Sequence, residues 1–140
     1  MLARMPGPIA IFDDDATVLG LLQDVLESEG FAVIVCRSPL ELHQAAIRGA
    51  TLAITDSWGP GHRMLDQAER EQIMALARLV PTVLASGRAW AAEVSAAELG
   101  LAALLPKPFD LQALLDVVRT RQRSHDHAWS PPSKAESLRR

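Results

Sequence analysis

The stretch IAIFDDDATVLGLLQ, from Ile9 to Gln23, decides the fold. Its first four residues are apolar and have the length of a buried strand. Apolar residues then recur at three- and four-residue spacing and predict an amphipathic helix that ends at Gly30; they are Val18, Leu21, Leu22, Val25 and Leu26. Between strand and helix stand Asp13, Asp14 and Asp15, and Asp15 or Thr17 can cap the first turn. Adjacent carboxylates repel one another, so we expect a helix N-terminus, water or a bound cation to neutralise them.

The composition is typical of an ordinary globular domain. With 140 residues, 49% of them hydrophobic and 22% charged, the chain can bury the core of one domain. A net charge of -3 and a pI near 5.8 argue against a nucleic-acid partner. The single cysteine, Cys36, excludes an internal disulfide, and no apolar run approaches the roughly 20 residues that span a bilayer. The first residues lack the features of a signal peptide, so we expect a cytoplasmic protein without a membrane partner.

Short apolar runs alternate with helix-like stretches along the chain. The predicted strands are residues 9–12, 31–36, 51–55, 81–86 and 101–105, and the later helices are residues 39–48, 63–79, 89–100 and 110–123. Because the strands are continuously apolar, we expect a parallel sheet with helices on both faces. Right-handed crossovers leave few topologies, of which strand order 2-1-3-4-5 is common. Residues 1–123 form the predicted domain, and residues 124–140, which lose periodicity, are predicted to be a disordered tail.

Polar side chains follow the predicted strands at the edge where α/β proteins bind ligands. The three aspartates follow the first strand, Asp56 the third, Ser86 the fourth and Lys107 the fifth. Carboxylates from two strands suit Mg²⁺, and a carboxylate can also act as a nucleophile toward phosphorus. Each residue alone has an ordinary explanation as a cap or a turn residue. Their agreement across four strand ends predicts a phosphoryl-transfer site, in which a metal and a lysine neutralise charge.

This pattern resembles the receiver domains of bacterial two-component response regulators, over residues 8–122. The motifs that carry the resemblance are Asp13-Asp14, Asp56 with Pro60-Gly61, Ser86, and Lys107-Pro108-Phe109. The resemblance implies a flavodoxin-like doubly wound sheet. It also implies a phosphoacceptor signalling protein that is not an enzyme beyond weak self-phosphorylation and dephosphorylation.

The resemblance also implies residue roles. Asp56 would accept a phosphoryl group from a phosphohistidine of a sensor histidine kinase or a histidine phosphotransfer protein. Asp14 and Asp56 would bind Mg²⁺, or Mn²⁺ in its place, together with the backbone carbonyl of Trp58, and Asp13 would act mainly through water. Lys107 would pair with Asp56 and then with the phosphoryl group.

Ser86 would hydrogen-bond a phosphoryl oxygen, and the Lys107–Pro108 bond is expected to be cis. The chain departs from the family at Leu104, where Tyr or Phe is usual. Trp58 either shields the acyl phosphate from water, with Arg88 adding positive charge, or lies over loop backbone. Signalling is expected through the last two helices and the fifth strand, to an unknown downstream protein or a second copy. Trp129 can dock onto a partner or back onto the domain.

Two other functions fit parts of the sequence. The Asp13–Asp15 stretch also matches the first motif of haloacid-dehalogenase-like phosphatases, with Ser86 and Lys107 as the second and third motifs. No acidic metal motif follows Lys107, however, and Asp56 would be left without a role. The chain can also be a receiver-like module that binds proteins without phosphorylation. Leu104 and Trp58 are compatible with this alternative, whereas the presence of the acidic pair, Asp56, Ser86 and Lys107 argues against it.

Overall fold

The computed structural model describes residues 7–56, 67–87, 94–107 and 110–123. Within these ranges, strands and helices alternate as β1 Ile9–Phe12, α1 Ala16–Ser28, β2 Val33–Val35, α2 Pro39–Ile47, β3 Leu52–Thr55, α3 Gln67–Leu79, β4 Thr82–Ser86, α4 Ala96–Leu99, β5 Ala103–Pro106 and α5 Leu111–Arg123. None of the described helices is long and apolar enough to cross a membrane. The predicted tail, residues 124–140, lies outside the described ranges.

The strands form one parallel sheet in the order β2-β1-β3-β4-β5, which confirms the predicted topology. Phe12 of β1 lies beside Thr55 of β3, and Ser86 of β4 lies beside Pro106 of β5. Because all strands run in the same direction, the residues that follow these paired positions emerge at one edge. The register therefore brings the chain after β1, β3, β4 and β5 to a common edge of the sheet.

Helices cover both faces of the sheet, as the unbroken apolar strands predict. On one face, Ile9 and Ile11 of β1 pack with residues of α1 and α5; the buried core residues of these helices are Leu22, Leu26, Leu114, Leu115 and Val118. On the other face, Ala10 packs with Leu42 of α2 and Leu76 of α3. Alternate residues of β1 thus contact opposite helical layers, and all four are buried.

Some predicted elements differ from the structure. Leu21 is 49% exposed, although the periodicity of α1 placed it on the buried face. It lies about 100° around the helix from Leu22, at the margin of the apolar stripe, while Leu22 and Leu26 fill the core contact. The second strand covers only residues 33–35 of the predicted 31–36, and the fifth ends at Pro106, one residue beyond the prediction.

The Ala-rich helix predicted over residues 89–100 is also shorter in its described part. Val94 and Ser95 are not helical, and α4 begins at Ala96. Ser95 Oγ accepts a hydrogen bond from the Glu98 N–H at 3.2 Å, a capping contact that fixes the start of the helix. The Ser-x-x-Glu spacing of Ser95 and Glu98 marks the N-terminus of a helix in the sequence, although the alanines before it also favour helix. The beginnings of the predicted third and fourth helices, residues 63–66 and 89–93, lie outside the described ranges.

Capping also fixes the start of α2. Ser38 Oγ accepts a hydrogen bond from the Glu41 N–H at 3.1 Å, and Pro39 occupies the first helical position. After the helix, Gly49 has φ +117°, a left-handed conformation that other residues rarely adopt. The predicted bounds of α2 therefore agree with the structure to within one residue.

Replacing the cap of α2 is expected to destabilise the domain. Ser38→Ala removes the acceptor for the Glu41 N–H and should lower the free energy of unfolding by about 1 kcal/mol. Ser28 at the end of α1 is the matched control, because its hydroxyl donates to the Val25 carbonyl and caps no N-terminus. Urea unfolding measures both variants. An equal loss of stability in Ser28→Ala would contradict the assigned role of the cap.

Candidate functional site

Backbone hydrogen bonds extend two strand pairs by one residue and so position the site. The Asp56 N–H donates to the Phe12 carbonyl at 3.1 Å, which holds Asp56 beside the end of β1. The Lys107 N–H donates to the Ser86 carbonyl at 2.7 Å, which holds Lys107 beside the end of β4. The pairing of the strands therefore delivers a carboxylate and an ammonium group to the same edge of the sheet.

The three consecutive aspartates have separate roles. Asp13, Asp14 and Asp56 each offer a carboxylate oxygen, and these oxygens lie within 4.8 Å of one another. Asp13 is buried, Asp14 is exposed and Asp56 is intermediate. Asp15 instead caps α1, since its Oδ1 accepts from the Thr17 N–H at 2.9 Å and the Val18 N–H at 3.3 Å. The helix N-terminus thus neutralises the third aspartate, and the first two join Asp56 in one acidic cluster.

Lys107 supplies the positive charge of this cluster. Its Nζ lies 2.7 Å from Asp13 Oδ2 and 3.6 Å from Asp56 Oδ2. The sequence led us to expect Asp56 as its partner, and the structure adds Asp13 at the shorter distance. The Asp13 side chain is only 2% exposed and has least access to water, so it gains most from a close counter-charge. Its Oδ1 also accepts from the Asp15 N–H at 2.8 Å, so both oxygens of Asp13 have partners.

The protonation of Lys107 follows from these contacts. Burial lowers the pKa of Lys107, but the hydrogen bond to Asp13 and the charges of Asp56 and Asp13 raise it, and the pKa lies above its ordinary value of 10.5. The side chain is therefore an ammonium ion at neutral pH. The pKa of Lys107 is higher in the folded chain than in the unfolded chain. Protonated Lys107 therefore contributes its full stabilisation below about pH 10.5, and this stabilisation is lost as the pH rises through the folded-state pKa.

Removing the Lys107 charge is expected to destabilise the metal-free domain. Lys107→Met leaves Asp13 buried without its counter-charge and should lower the free energy of unfolding at pH 7 by about 1 to 3 kcal/mol, measured in urea with a chelator. Arg119→Met is the matched control. Its pair with Glu29 is as short, 2.8 Å, but both side chains are about 40% exposed, so the loss should stay below about 1 kcal/mol. If Lys107→Met and Arg119→Met lowered the free energy of unfolding equally, the contribution of an ion pair would not depend on its burial.

The acidic cluster fits a divalent cation in ligand type and in charge. Its three carboxylates and the Lys107 ammonium leave a formal charge of -2, which a divalent ion would balance. Carboxylate oxygens are the donors that Mg²⁺ prefers, and the exposure of Asp14 leaves room for the waters that Mg²⁺ retains. The donor set is therefore compatible with the predicted Mg²⁺ site.

The structure describes two further residues of the predicted site and of the family pattern, Ser86 and Leu104. Ser86 is fully buried at the end of β4, and Leu104 of β5 packs beside a core cluster that contains Ile73, Leu84 and Leu99. The side chain of Lys107 passes over Gly87, where an added Cβ would lie 3.6 Å from Lys107 Cβ. This is an ordinary van der Waals distance, so the contact alone does not require a glycine at this position. Trp58, Arg88, Pro108 and Trp129 lie outside the described residues.

Comparison with known proteins gives structural but no sequence-family matches. No family model matches the chain, and no curated protein does. Among solved structures, a CheY-like response regulator receiver domain protein from Methanospirillum hungatei JF-1 has a TM-score of 0.67 and 21% identity, over 86% of this chain and 97% of that one. A response regulator receiver protein from Pseudomonas putida has a TM-score of 0.64 and 26% identity, over 85% and 99% of the two chains.

A sensor protein from Polaromonas sp. JS666 is similar to the same extent, with a TM-score of 0.66 and 26% identity over 85% of this chain and 98% of that one. These matches span nearly the whole length of each neighbour, so the likeness covers a complete domain. They agree with the observed strand order. The resemblance predicted from the sequence is confirmed: this chain has the flavodoxin-like fold of the response regulator receiver domains.

Proposed function

We propose that this chain is a phosphoacceptor signalling domain of a two-component or phosphorelay system, with Asp56 as the acceptor. The observation that carries the proposal is the position of the Lys107 ammonium between the carboxylates of Asp13 and Asp56, beside Asp14. A capping role explains Asp15 but none of these three carboxylates. A charge-neutralised carboxylate at the ligand-binding edge of the sheet is what acyl phosphate formation requires.

In the proposed reaction, a carboxylate oxygen of Asp56 attacks the phosphorus of a phosphohistidine on the partner protein. The new bond joins this oxygen to phosphorus, the phosphorus–nitrogen bond breaks, and its electron pair stays on the imidazole. The Asp56 side chain is 12% exposed, so it is largely buried but keeps some access to solvent. Lys107 contributes by neutralising negative charge on the acceptor and on the incoming phosphoryl group.

Asp14 and Asp56 are the proposed direct ligands of Mg²⁺, or of Mn²⁺ in its place, together with the Trp58 backbone carbonyl. Both oxygens of Asp13 already accept hydrogen bonds, from Lys107 and from the Asp15 N–H, which favours a water-mediated role for Asp13. When bound, such an ion supplies charge neutralisation for phosphoryl transfer.

Phosphorylation is proposed to switch the domain through Ser86 and Lys107. Shifting a two-state equilibrium from mostly inactive to mostly active takes about 5.5 kcal/mol of differential interaction. Two charge-assisted hydrogen bonds to the phosphoryl group, from the Ser86 hydroxyl and the Lys107 ammonium, supply about 3 to 6 kcal/mol together. These two contacts therefore reach the required magnitude only at the upper end of this range. Leu104 offers no aromatic ring, so the switch is proposed to use a shift of the Ser86 hydroxyl and a loop rearrangement.

The proposed phosphoryl donor is a sensor histidine kinase or a histidine phosphotransfer protein. The proposed output is a contact with a downstream protein, or a homodimer, through α4, β5 and α5. Two structural neighbours are response regulator receiver proteins and a third is a sensor protein, which supports a place in such signalling. The cytoplasm is the proposed location.

The phosphatase alternative would use Asp13 and Asp15 as its catalytic pair. Against it, Asp15 Oδ1 accepts two backbone N–H groups of α1 and Asp13 is paired with Lys107. The alternative also leaves Asp56 without a role, although Asp56 belongs to the acidic cluster. Efficient steady turnover of para-nitrophenyl phosphate would support the phosphatase, because a phosphoacceptor takes up one phosphoryl group and does not turn over efficiently.

The proposal is tested with acetyl phosphate and Mg²⁺, followed by intact-mass measurement of the full chain. We expect a gain in mass of one phosphoryl group that depends on Mg²⁺. A chain that gains none would favour the remaining alternative, a receiver-like module that binds proteins without phosphorylation.

A further inference from the structure

Helix α2 exposes two large apolar side chains on one stripe. Leu40 is 66% exposed and Ile47 is 72% exposed, the highest values among the large hydrophobic residues in the described part of the chain. They are seven residues apart, two helical turns, so they lie on the same side of α2. Gln44 lies between them, four residues after Leu40.

The rotation of α2 about its axis is fixed by its buried side. Leu42, Ala45 and Ala46 are buried in the core layer that also contains Ala10 of β1 and Leu76 of α3. The stripe of Leu40 and Ile47 therefore points away from the sheet, and none of the described residues covers it. A partner that packs on this stripe would remove its apolar surface from water.

The charges beside this stripe indicate what that partner is. Glu41 and Arg48 lie along the same flank of α2, next to a groove of about 170 Å³ that Ile34 of β2 also lines. Neither side chain has an ion pair with another described residue. They are seven residues apart, about 10.5 Å along the axis, too far to pair with each other.

A second α2 in antiparallel orientation can cover the apolar stripe and pair the charges of Glu41 and Arg48 at the same time. Leu40 of each copy then lies opposite Ile47 of the other, and Glu41 of each copy lies opposite Arg48 of the other, with Gln44 near the twofold axis. A parallel twofold arrangement would instead place Leu40 beside Leu40 and Ile47 beside Ile47, and it would put the flanks with Glu41 and Arg48 on opposite sides of the interface, where they cannot pair. The surface is thus self-complementary in the sense that a twofold interface requires.

We propose that α2 forms a symmetric antiparallel interface with α2 of a second copy of this chain. This interface is separate from α4, β5 and α5 and does not depend on phosphorylation of Asp56. Since a nine-residue helix provides a small area, the dimer is expected to be weak and to form in the range from about 10 µM to about 1 mM.

Sedimentation equilibrium of the full chain tests the proposal. The average mass should rise from the 15.2 kDa of the monomer toward twice that value with concentration. Ile47→Lys should weaken dimerisation at least about tenfold, because the change removes apolar burial at two symmetric positions. The matched control is Leu21→Lys on α1, which changes a side chain 49% exposed on the other face of the sheet and should leave the dimer intact. A chain that stays monomeric, or equal effects of the two variants, would overturn the proposal.

Charge reversal tests the antiparallel orientation without touching the apolar contact. Glu41→Arg and Arg48→Glu should each weaken the dimer, because each places like charges opposite one another at both ends of the interface. The double variant Glu41→Arg with Arg48→Glu should dimerise more tightly than either single variant. Circular dichroism verifies that α2 remains folded in each. A double variant no tighter than the singles would refute the antiparallel pairing.

Discussion

The variant Asp56→Asn is expected to take up no phosphoryl group from acetyl phosphate, whereas the wild-type chain gains one. An amide has nearly the size and shape of a carboxylate but lacks the anionic oxygen that attacks phosphorus. The backbone bond from the Asp56 N–H to the Phe12 carbonyl does not depend on the side chain, so the end of β3 should keep its position. Intact-mass spectra over time, with and without Mg²⁺, measure the uptake.

Asp15→Asn provides the control for this experiment. It makes the same chemical change two residues beyond Asp13, at a carboxylate that caps α1, and asparagine is an equally good capping residue. We expect Asp15→Asn to be phosphorylated as the wild type is. Uptake by Asp56→Asn would mean that another side chain is the acceptor, and loss of uptake in Asp15→Asn would favour the phosphatase alternative.

The parts of this structure that the sequence predicts are those in which local pattern and global packing agree. The continuously apolar strands predicted a sheet buried on both faces, and β1, whose residues contact both helical layers, bears this out. The polar residues after the strands predicted a shared edge, and the backbone bonds of Asp56 and Lys107 place them there. Both inferences rest on properties of the whole sheet, which sequence periodicity reports directly.

The parts that the sequence predicts less well depend on which of several similar side chains makes a given contact in the folded chain. Periodicity cannot tell which leucine of α1 fills the core, and Leu21 loses that contact to Leu22 and Leu26. The family resemblance likewise implied that Lys107 pairs with Asp56, and this contact is present at 3.6 Å, but the contact with Asp13 is shorter, at 2.7 Å. That preference follows from the burial of Asp13, a three-dimensional property that the sequence motifs do not contain.

The second large expected effect concerns metal binding by the acidic cluster. Mg²⁺ should stabilise the wild-type chain, by about 2.7 kcal/mol when its concentration is a hundredfold above the dissociation constant. Asp14→Asn should weaken Mg²⁺ binding at least about tenfold, because the change removes a proposed ligand and one of the negative charges that attract the ion. Thermal unfolding across a Mg²⁺ titration, together with calorimetry, measures both effects.

The stability of Asp14→Asn without metal distinguishes loss of a Mg²⁺ ligand from general damage to the fold. The formal charge of -2 in the cluster is repulsive without a cation, so Asp14→Asn should be as stable as the wild type or slightly more stable in a chelator, by less than about 1 kcal/mol because Asp14 is exposed. Asp15→Asn keeps both the cluster and the cap, and should retain the full Mg²⁺ response. If Asp14→Asn and Asp15→Asn respond to Mg²⁺ equally, Asp14 is not a ligand. A variant that is less stable without metal but binds Mg²⁺ normally would show that Asp14 supports the loop after β1 instead of the ion.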